Sequence, residues 1–262
     1  PSRRSSDLVV DNISKRIKQK STYREDVMEY LGKKTGSGIP HFIIGKMPKH
    51  DIYIEPFLGT GSIMALKKPA YKNIGCDLNI EMVKFNKKQF YNKPNFDIYD
   101  ISAFDLLSSI DVYAHGIGQC SNVVIYLDPP YLHSTRTSDK KYLCELYEDD
   151  HIRLLKLLQE LSMRAGVYIL ISGYKSELYM SMLEHSWFYF ETQTMSRGGK
   201  RIESLWTNFD PDLHIKHDYD YVGRDFTDRQ RLKRKASRYV DKFSSMLPDE
   251  RYFIINNLLA RI

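Results

Sequence analysis

The pattern of apolar and polar positions changes character twice along the chain. Leu8, Val9, Ile13 and Ile17 recur at near-helical spacing over 6–20, with Asp7 placed to cap them, and KKTGSG at 33–38 breaks the periodicity as a loop. His41 to Met47 reads as a short helix stopped by Pro48. From there, apolar runs of strand length alternate with helical patterns. Strands are expected at 52–54 (IYI), 73–77 (NIGCD), 96–99, 123–127 (VVIYL) and 167–172 (VYILIS), with helices at 63–68, 79–90 and 151–161. That alternation implies βαβ units, and so a doubly wound, mostly parallel sheet covered on both faces. The segments 187–195 and 201–209 flank the polar turn RGGK and predict a terminal antiparallel hairpin. Beyond Pro211 the chain turns polar and basic, with two helices expected near 226–244 and 248–260.

Composition narrows the class. The chain has 262 residues, 42% hydrophobic and 27% charged, which excludes disordered, collagen-like and low-complexity proteins. No apolar run approaches the roughly 18–20 residues of a membrane span, so no membrane partner is expected. Cys76, Cys120 and Cys144 form no CxxC pair, which suits a reducing cytoplasm. The histidines lack metal-ligand spacing and no HExxH is present, so no metal is expected. The net charge of +6 is modest, but basic residues crowd 3–20 and the stretch Arg229, Arg231, Lys233, Arg234, Lys235 and Arg238. A polyanionic partner and a pair of solvated helix faces both satisfy that pattern.

Two motifs carry chemistry. In Glu55-Pro56-Phe57-Leu58-Gly59-Thr60-Gly61-Ser62 a Gly-x-Gly turn follows a strand and opens a helix, so backbone approaches a ligand closely. Asp77 ends the next strand, where an acid accepts hydrogen bonds from both hydroxyls of a ribose. Neither GxxxxGK[ST] nor a complete GxGxxG is present, which favours a nucleoside cofactor without a pyrophosphate. The second motif, Asp128-Pro129-Pro130-Tyr131, follows VVIYL. Two prolines cannot continue a central strand, so the tetrapeptide leaves the sheet at its carboxyl edge, alongside the glycine turn and Asp77. There the Asp128 carboxylate and the Pro129 carbonyl would each accept one N–H of an exocyclic amine, while Tyr131 offers a face to a base taken out of its helix.

EPFLGTGS, Asp77 and DPPY in this order resemble the Dam-like DNA adenine-N6 methyltransferases, over about Tyr30 to Asp210. The resemblance implies a Rossmann-like sheet, S-adenosylmethionine as cofactor, and double-stranded DNA as partner with its target adenine flipped out. It divides the chain into an N-terminal helical extension (1–29), a catalytic domain (30–210) and a basic helical C-terminal extension (211–262). By the same resemblance Lys33 or Lys34, in YLGKKTG, holds the methionine end of the cofactor. Glu55, Pro56, Phe57, Gly59, Gly61, Asp77 and Asp128 line its site, and an acid at the end of the third strand contacts its adenine. Here Asp100 and Ser102 compete for that last place, with Asp100 favoured. YLHSTR at 131–136, ISGYKSELY at 171–179 and RIESLWTN at 201–208 resemble a phage-type branch. On that likeness Thr135 and Arg136 contact DNA, and Ser172 and Tyr174 wall the target pocket.

The stretch from Ser108 to Asn122 is too short for the target-recognition domain that many relatives carry between their third and fourth strands. Sequence reading would then fall to loops, chiefly 132–150, to the hairpin turn with Arg197, Lys200 and Arg201, and to Arg231, Lys233, Arg234 and Lys235, with a short or relaxed target. Trp187 and Trp206 read as core. The expected protein is a cytoplasmic monomer or weak dimer of a bacterial, archaeal or phage-infected cell. RNA adenine methylation, or a DNA-binding module with a decayed site, remains as the alternative.

Overall fold

The computed structural model describes residues 38–110, 121–135, 144–196 and 199–261, without the side chains of 194–196 and 199–201. Among them, a helix α1 (Ile39–Ile44) leads into β1 (Ile52–Glu55), α2 (Ser62–Leu66), β2 (Lys72–Cys76), α3 (Ile80–Gln89), β3 (Phe96–Tyr99) and α4 (Ala103–Ser108). Then come β4 (Val123–Leu127), α5 (Glu148–Ser162), β5 (Val167–Gly173), α6 (Glu177–Leu183), the hairpin β6 (Phe188–Ser196) and β7 (Gly199–Thr207), and finally α7 (Phe226–Ser244) and α8 (Pro248–Leu259). The first helix starts earlier than the pattern suggested, with Pro40 in its first turn, where a missing N–H costs nothing. Two short helices, α4 and α6, escaped the pattern; Ser102 and Ser176 cap them.

Seven strands form one sheet in the order β3-β2-β1-β4-β5-β7-β6. The first five are parallel, and β7 enters antiparallel against β5. Alternation along each strand feeds two cores, because successive side chains point to opposite faces. Ile52, Ile54, Val123, Ile125 and Leu127 meet Leu154, Leu155, Leu158 and Leu161 of α5 on one face. Tyr53, Val124, Tyr126 and Leu205 meet Ile43 and Ile44 of α1 and Ile63 and Met64 of α2 on the other. The architecture is a Rossmann-like, doubly wound, mostly parallel sheet ending in an antiparallel hairpin. Trp187 and Trp206 are buried within it.

Beyond the sheet, residues 214–222 strap back over the molecule. Lys49 N–H donates to the Ile215 carbonyl at 2.7 Å, and the rings of His50 and His217 stack with centroids 3.7 Å apart. Neither α7 nor α8 contributes a buried residue, and Tyr239, Tyr252 and Phe253 lie exposed. No helix among the described residues is long and apolar enough to cross a membrane. Since α7 and α8 add nothing to either core, a chain ending at Arg224 should keep its thermal midpoint within about 3 °C of the full chain. A scanning-calorimetry loss of ~10 °C or more would show that the two helices hold the sheet together.

Candidate active site at the carboxyl edge of the sheet

The sheet order reverses between β1 and β4. The chain runs outward from β1 through β2 to β3, then returns to pair β4 with the opposite side of β1. Strands diverge at such a switch point, and the crevice beyond their carboxyl ends is where open α/β sheets take ligands. Glu55 closes β1 and Asp128 follows β4, so both acids flank that point.

The glycine turn is held from two sides. The Gly59 N–H donates to Asp77 Oδ2 at 2.7 Å, and the Asn79 N–H donates to Asp77 Oδ1 at 2.8 Å. Each Asp77 oxygen therefore carries one main-chain donor and retains a lone-pair site for another. Burial raises the Asp77 carboxyl above the ordinary range, the two N–H donors pull it back, and Asp100 adds to the rise. From α3, Asn86 donates to the Gly59 carbonyl at 2.7 Å and to the Met82 carbonyl at 2.8 Å. Gly59 and Gly61 have φ of 49° and 62°, in the left-handed region that favours glycine. A Cβ on Gly61 would also stand 2.4 Å from Asn86 Oδ1. Asn86 was missed in the sequence; the available signal was an amide on the helix face that also carries Met82 and Val83, both buried.

Glu55 lies beneath the turn. Its Oε2 accepts the Tyr53 hydroxyl at 2.9 Å and the Met64 N–H at 3.1 Å. The second bond serves α2, whose N-cap is Gly61 and brings no side chain of its own. Burial pushes the Glu55 carboxyl up to about 8; the Tyr53 bond opposes this and the charge of Asp128 reinforces it. Lys67 sits nearby, its Nζ 4.1 Å from the centre of the Tyr53 ring and 3.2 Å from Asn73 Oδ1. Burial brings it down to about 7, against the pull of Glu55 and Asp218.

The Asp-Pro-Pro-Tyr segment is fixed through side chains from β5 and β7. Ser172 is fully buried; its hydroxyl donates to Asp128 Oδ1 at 3.0 Å and meets the Tyr126 hydroxyl at 2.9 Å. Ser172, expected to wall a target pocket, is bonded to Asp128 from within the interior. The Tyr131 hydroxyl donates to Glu203 Oε1 at 2.7 Å, and its ring centre is 4.4 Å from that of Tyr174, tilted by 55°. Glu203 was not singled out in the sequence. Its signal was an acid sharing the period-two face of β7 with buried Leu205 and Thr207.

The remaining candidates divide clearly. Register pairs Cys76 with Tyr99, so Asp77 after β2 and Asp100 after β3 lie at the same edge. The Ser102 hydroxyl caps α4, accepting from the Asp105 N–H at 3.0 Å and donating to the Asp105 carboxylate at 2.7 Å. Both bonds engage the Ser102 hydroxyl within the first turn of α4. Pro129 and Pro56 are buried, and Phe57 and Pro130 are half-buried. Thr135 closes a short turn, its hydroxyl donating to the Leu132 carbonyl at 2.9 Å. Arg231 pairs with Asp228 at 2.8 Å and Lys233 with Asp220 at 3.2 Å, while Arg234 and Lys235 are exposed on α7. The β6–β7 register sets Lys200 opposite Met195 and Arg201 opposite Thr194. Lys33, Lys34, Arg136 and Arg197 lie outside the described residues. Among the described residues no group of three or more His, Cys, Asp or Glu could hold a metal ion.

A family model described as D12 class N6 adenine-specific DNA methyltransferase matches residues 30–116 and 114–197. No curated protein matches the sequence. Among solved structures, a putative rRNA methylase from Clostridium thermocellum is similar over 67% of this chain and 98% of its own, with 15% identity and a TM-score of 0.43. An rRNA methylase from Streptococcus thermophilus gives the same TM-score at 11% identity, over 64% of this chain and 93% of its own. A putative methyltransferase from Streptococcus mutans, in complex with SAH, is similar over 64% and 94%, with 11% identity and a TM-score of 0.41.

The buried acid gives the site a measurable pH signature. Glu55 holds its proton in the fold up to about 8, whereas the unfolded chain releases it near 4.5. The folded state thus binds the extra proton, so this contribution is complete at low pH and is lost as pH rises toward 8. Glu55→Gln removes that dependence. Its unfolding free energy relative to the parent should climb by about 1 kcal/mol per unit between pH 5 and 7. Urea titrations across that range give the answer, and a difference that stays flat would contradict a protonated Glu55.

Proposed function

The chain belongs to the D12 class N6 adenine-specific DNA methyltransferase family, and from that premise we propose that it methylates N6 of an adenine flipped out of double-stranded DNA, with S-adenosylmethionine as donor and a short or relaxed target sequence. The observation that carries this reading is the Asp128–Tyr131 segment, anchored by Ser172 and Glu203, at the switch point beside Asp77.

The residues present suit an adenosyl cofactor. Asp77 retains acceptor capacity on both oxygens for a ribose, Gly59 and Gly61 allow close approach of the main chain, and Asp100 stands at the same edge. When bound, S-adenosylmethionine supplies an electrophilic methyl group on a sulfonium. Glu55 holds the first turn of α2, Pro56 and Phe57 would line the cofactor's site with it, and Lys33 or Lys34 would take the methionine end.

The chain's own groups do the rest by position and charge. The amine of adenine is a weak nucleophile because its lone pair is delocalised into the ring. Asp128 and the Pro129 carbonyl each accept one N–H, which localises electron density on the nitrogen and holds it for attack. Pro129 and Pro130 restrict their own main-chain torsions, so the carbonyl keeps its direction. Tyr131 and Tyr174 offer aromatic faces to a base outside the helix. Thr135, Arg136, Arg197, Lys200 and Arg201 would contact the DNA, and Arg234 and Lys235, with Arg231 and Lys233, would contact phosphates.

Asp128→Ala should abolish methyl transfer to DNA, by at least ~1000-fold, through loss of the charged acceptor. Tritium from labelled cofactor counted in DNA measures it, alongside far-ultraviolet circular dichroism to show the fold is kept. Activity retained within about tenfold would end the assignment.

A further inference from the structure

We infer that Glu203 is a positioning residue, setting the ring of Tyr131 against the target base; the inference rests on the reading of flipped adenine as substrate. The main chain at Tyr131 is directed by two prolines, but its side chain keeps two torsions of its own. Two contacts among those it makes restrict that freedom. Tyr174 meets the ring with centroids 4.4 Å apart, and Glu203 Oε1 accepts the phenol at 2.7 Å. A hydrogen bond to a carboxylate is stronger than one between neutral groups and directional, so it fixes the ring where a face contact alone would let it pivot.

The fold brings Glu203 there from 72 residues along the chain. Because β7 enters antiparallel, Gly173 pairs with Ser204, and Glu203 comes opposite the point where Tyr174 leaves β5. One strand end and one hairpin strand thus deliver both constraints on a third segment. Glu203 itself is 3% exposed, so its carboxylate is committed inward rather than to solvent. An acid at such a depth needs hydrogen-bond partners, and the Tyr131 phenol is one. The terminal hairpin therefore serves the reaction as well as the sheet edge.

A double-mutant cycle tests the role. The kcat/KM for methyl transfer to duplex DNA is measured for the parent, Glu203→Ala, Glu203→Gln and Tyr131→Phe, and for each Glu203 change combined with Tyr131→Phe. Loss of a hydrogen bond to a charged group predicts a fall of at least about tenfold for Glu203→Ala. Glu203→Gln, which keeps an acceptor, should stay within about threefold. In the Tyr131→Phe background, Glu203→Ala should cost almost nothing further, because the bond is already gone. An equal cost in both backgrounds would mark a purely structural acid and overturn the inference. The same cycle is read by urea midpoint, which needs no substrate: coupled midpoints support the contact and additive ones overturn it. Coupled midpoints in a parent that methylates no adenine would support Glu203 as the residue that holds Tyr131 and overturn only the substrate.

Discussion

β4 pairs with β1 on the side away from β2, and that single reversal of strand order brings the segments of the candidate site to one edge. Each strand on either side of it must exit into a loop whose direction the sheet has already set. β1 exits into the glycine turn, β2 into Asp77, β3 into Asp100 and β4 into Asp-Pro-Pro-Tyr. Four segments distant in sequence so become neighbours without any one of them having to reach. A sheet with β4 paired elsewhere would keep the motifs and lose the site.

Placement alone does not make the edge rigid. Its loops are fastened by buried polar side chains, each from a different element: Asn86 from α3 on the Gly59 carbonyl, Ser172 from β5 on Asp128, and Glu203 from β7 on Tyr131. All three are shielded from water, where an unmatched polar group is costly and a matched one is strongly directional. Glu55 belongs to the same scheme, its Oε2 accepting from Tyr53 and from the first turn of α2. The groups proposed to meet cofactor and base are thus backed by groups that never leave the interior.

The sheet was legible because its signal is local. Runs such as VVIYL are too short and too uniformly apolar for an amphipathic helix, and each sits between turn residues. Glycines and prolines likewise announced the left-handed turn after β1 and the exit from β4. What the sequence hid was the second layer of the site. Ser172 reads in sequence as the end of a strand and, by resemblance, a pocket residue, and only the pairing of β4 with β5 puts its hydroxyl against Asp128. Glu203 depends on the antiparallel register of β7, which no local pattern encodes. The helix cap at Ser102 was hidden too: α4 was too short to show in the pattern, so the claim of Asp105 on Ser102 was invisible. Motifs name the groups that face outward, and topology decides what stands behind them.

The central claim is that the acceptor pair at 128–129 acts on the amino group of adenine in DNA. Single-molecule sequencing of DNA from cells expressing this chain tests it most directly, since it reads both the modified base and its neighbours. The account predicts N6-methyladenine in a short or relaxed sequence context. N4-methylcytosine in its place, or DNA left unmodified, would contradict it.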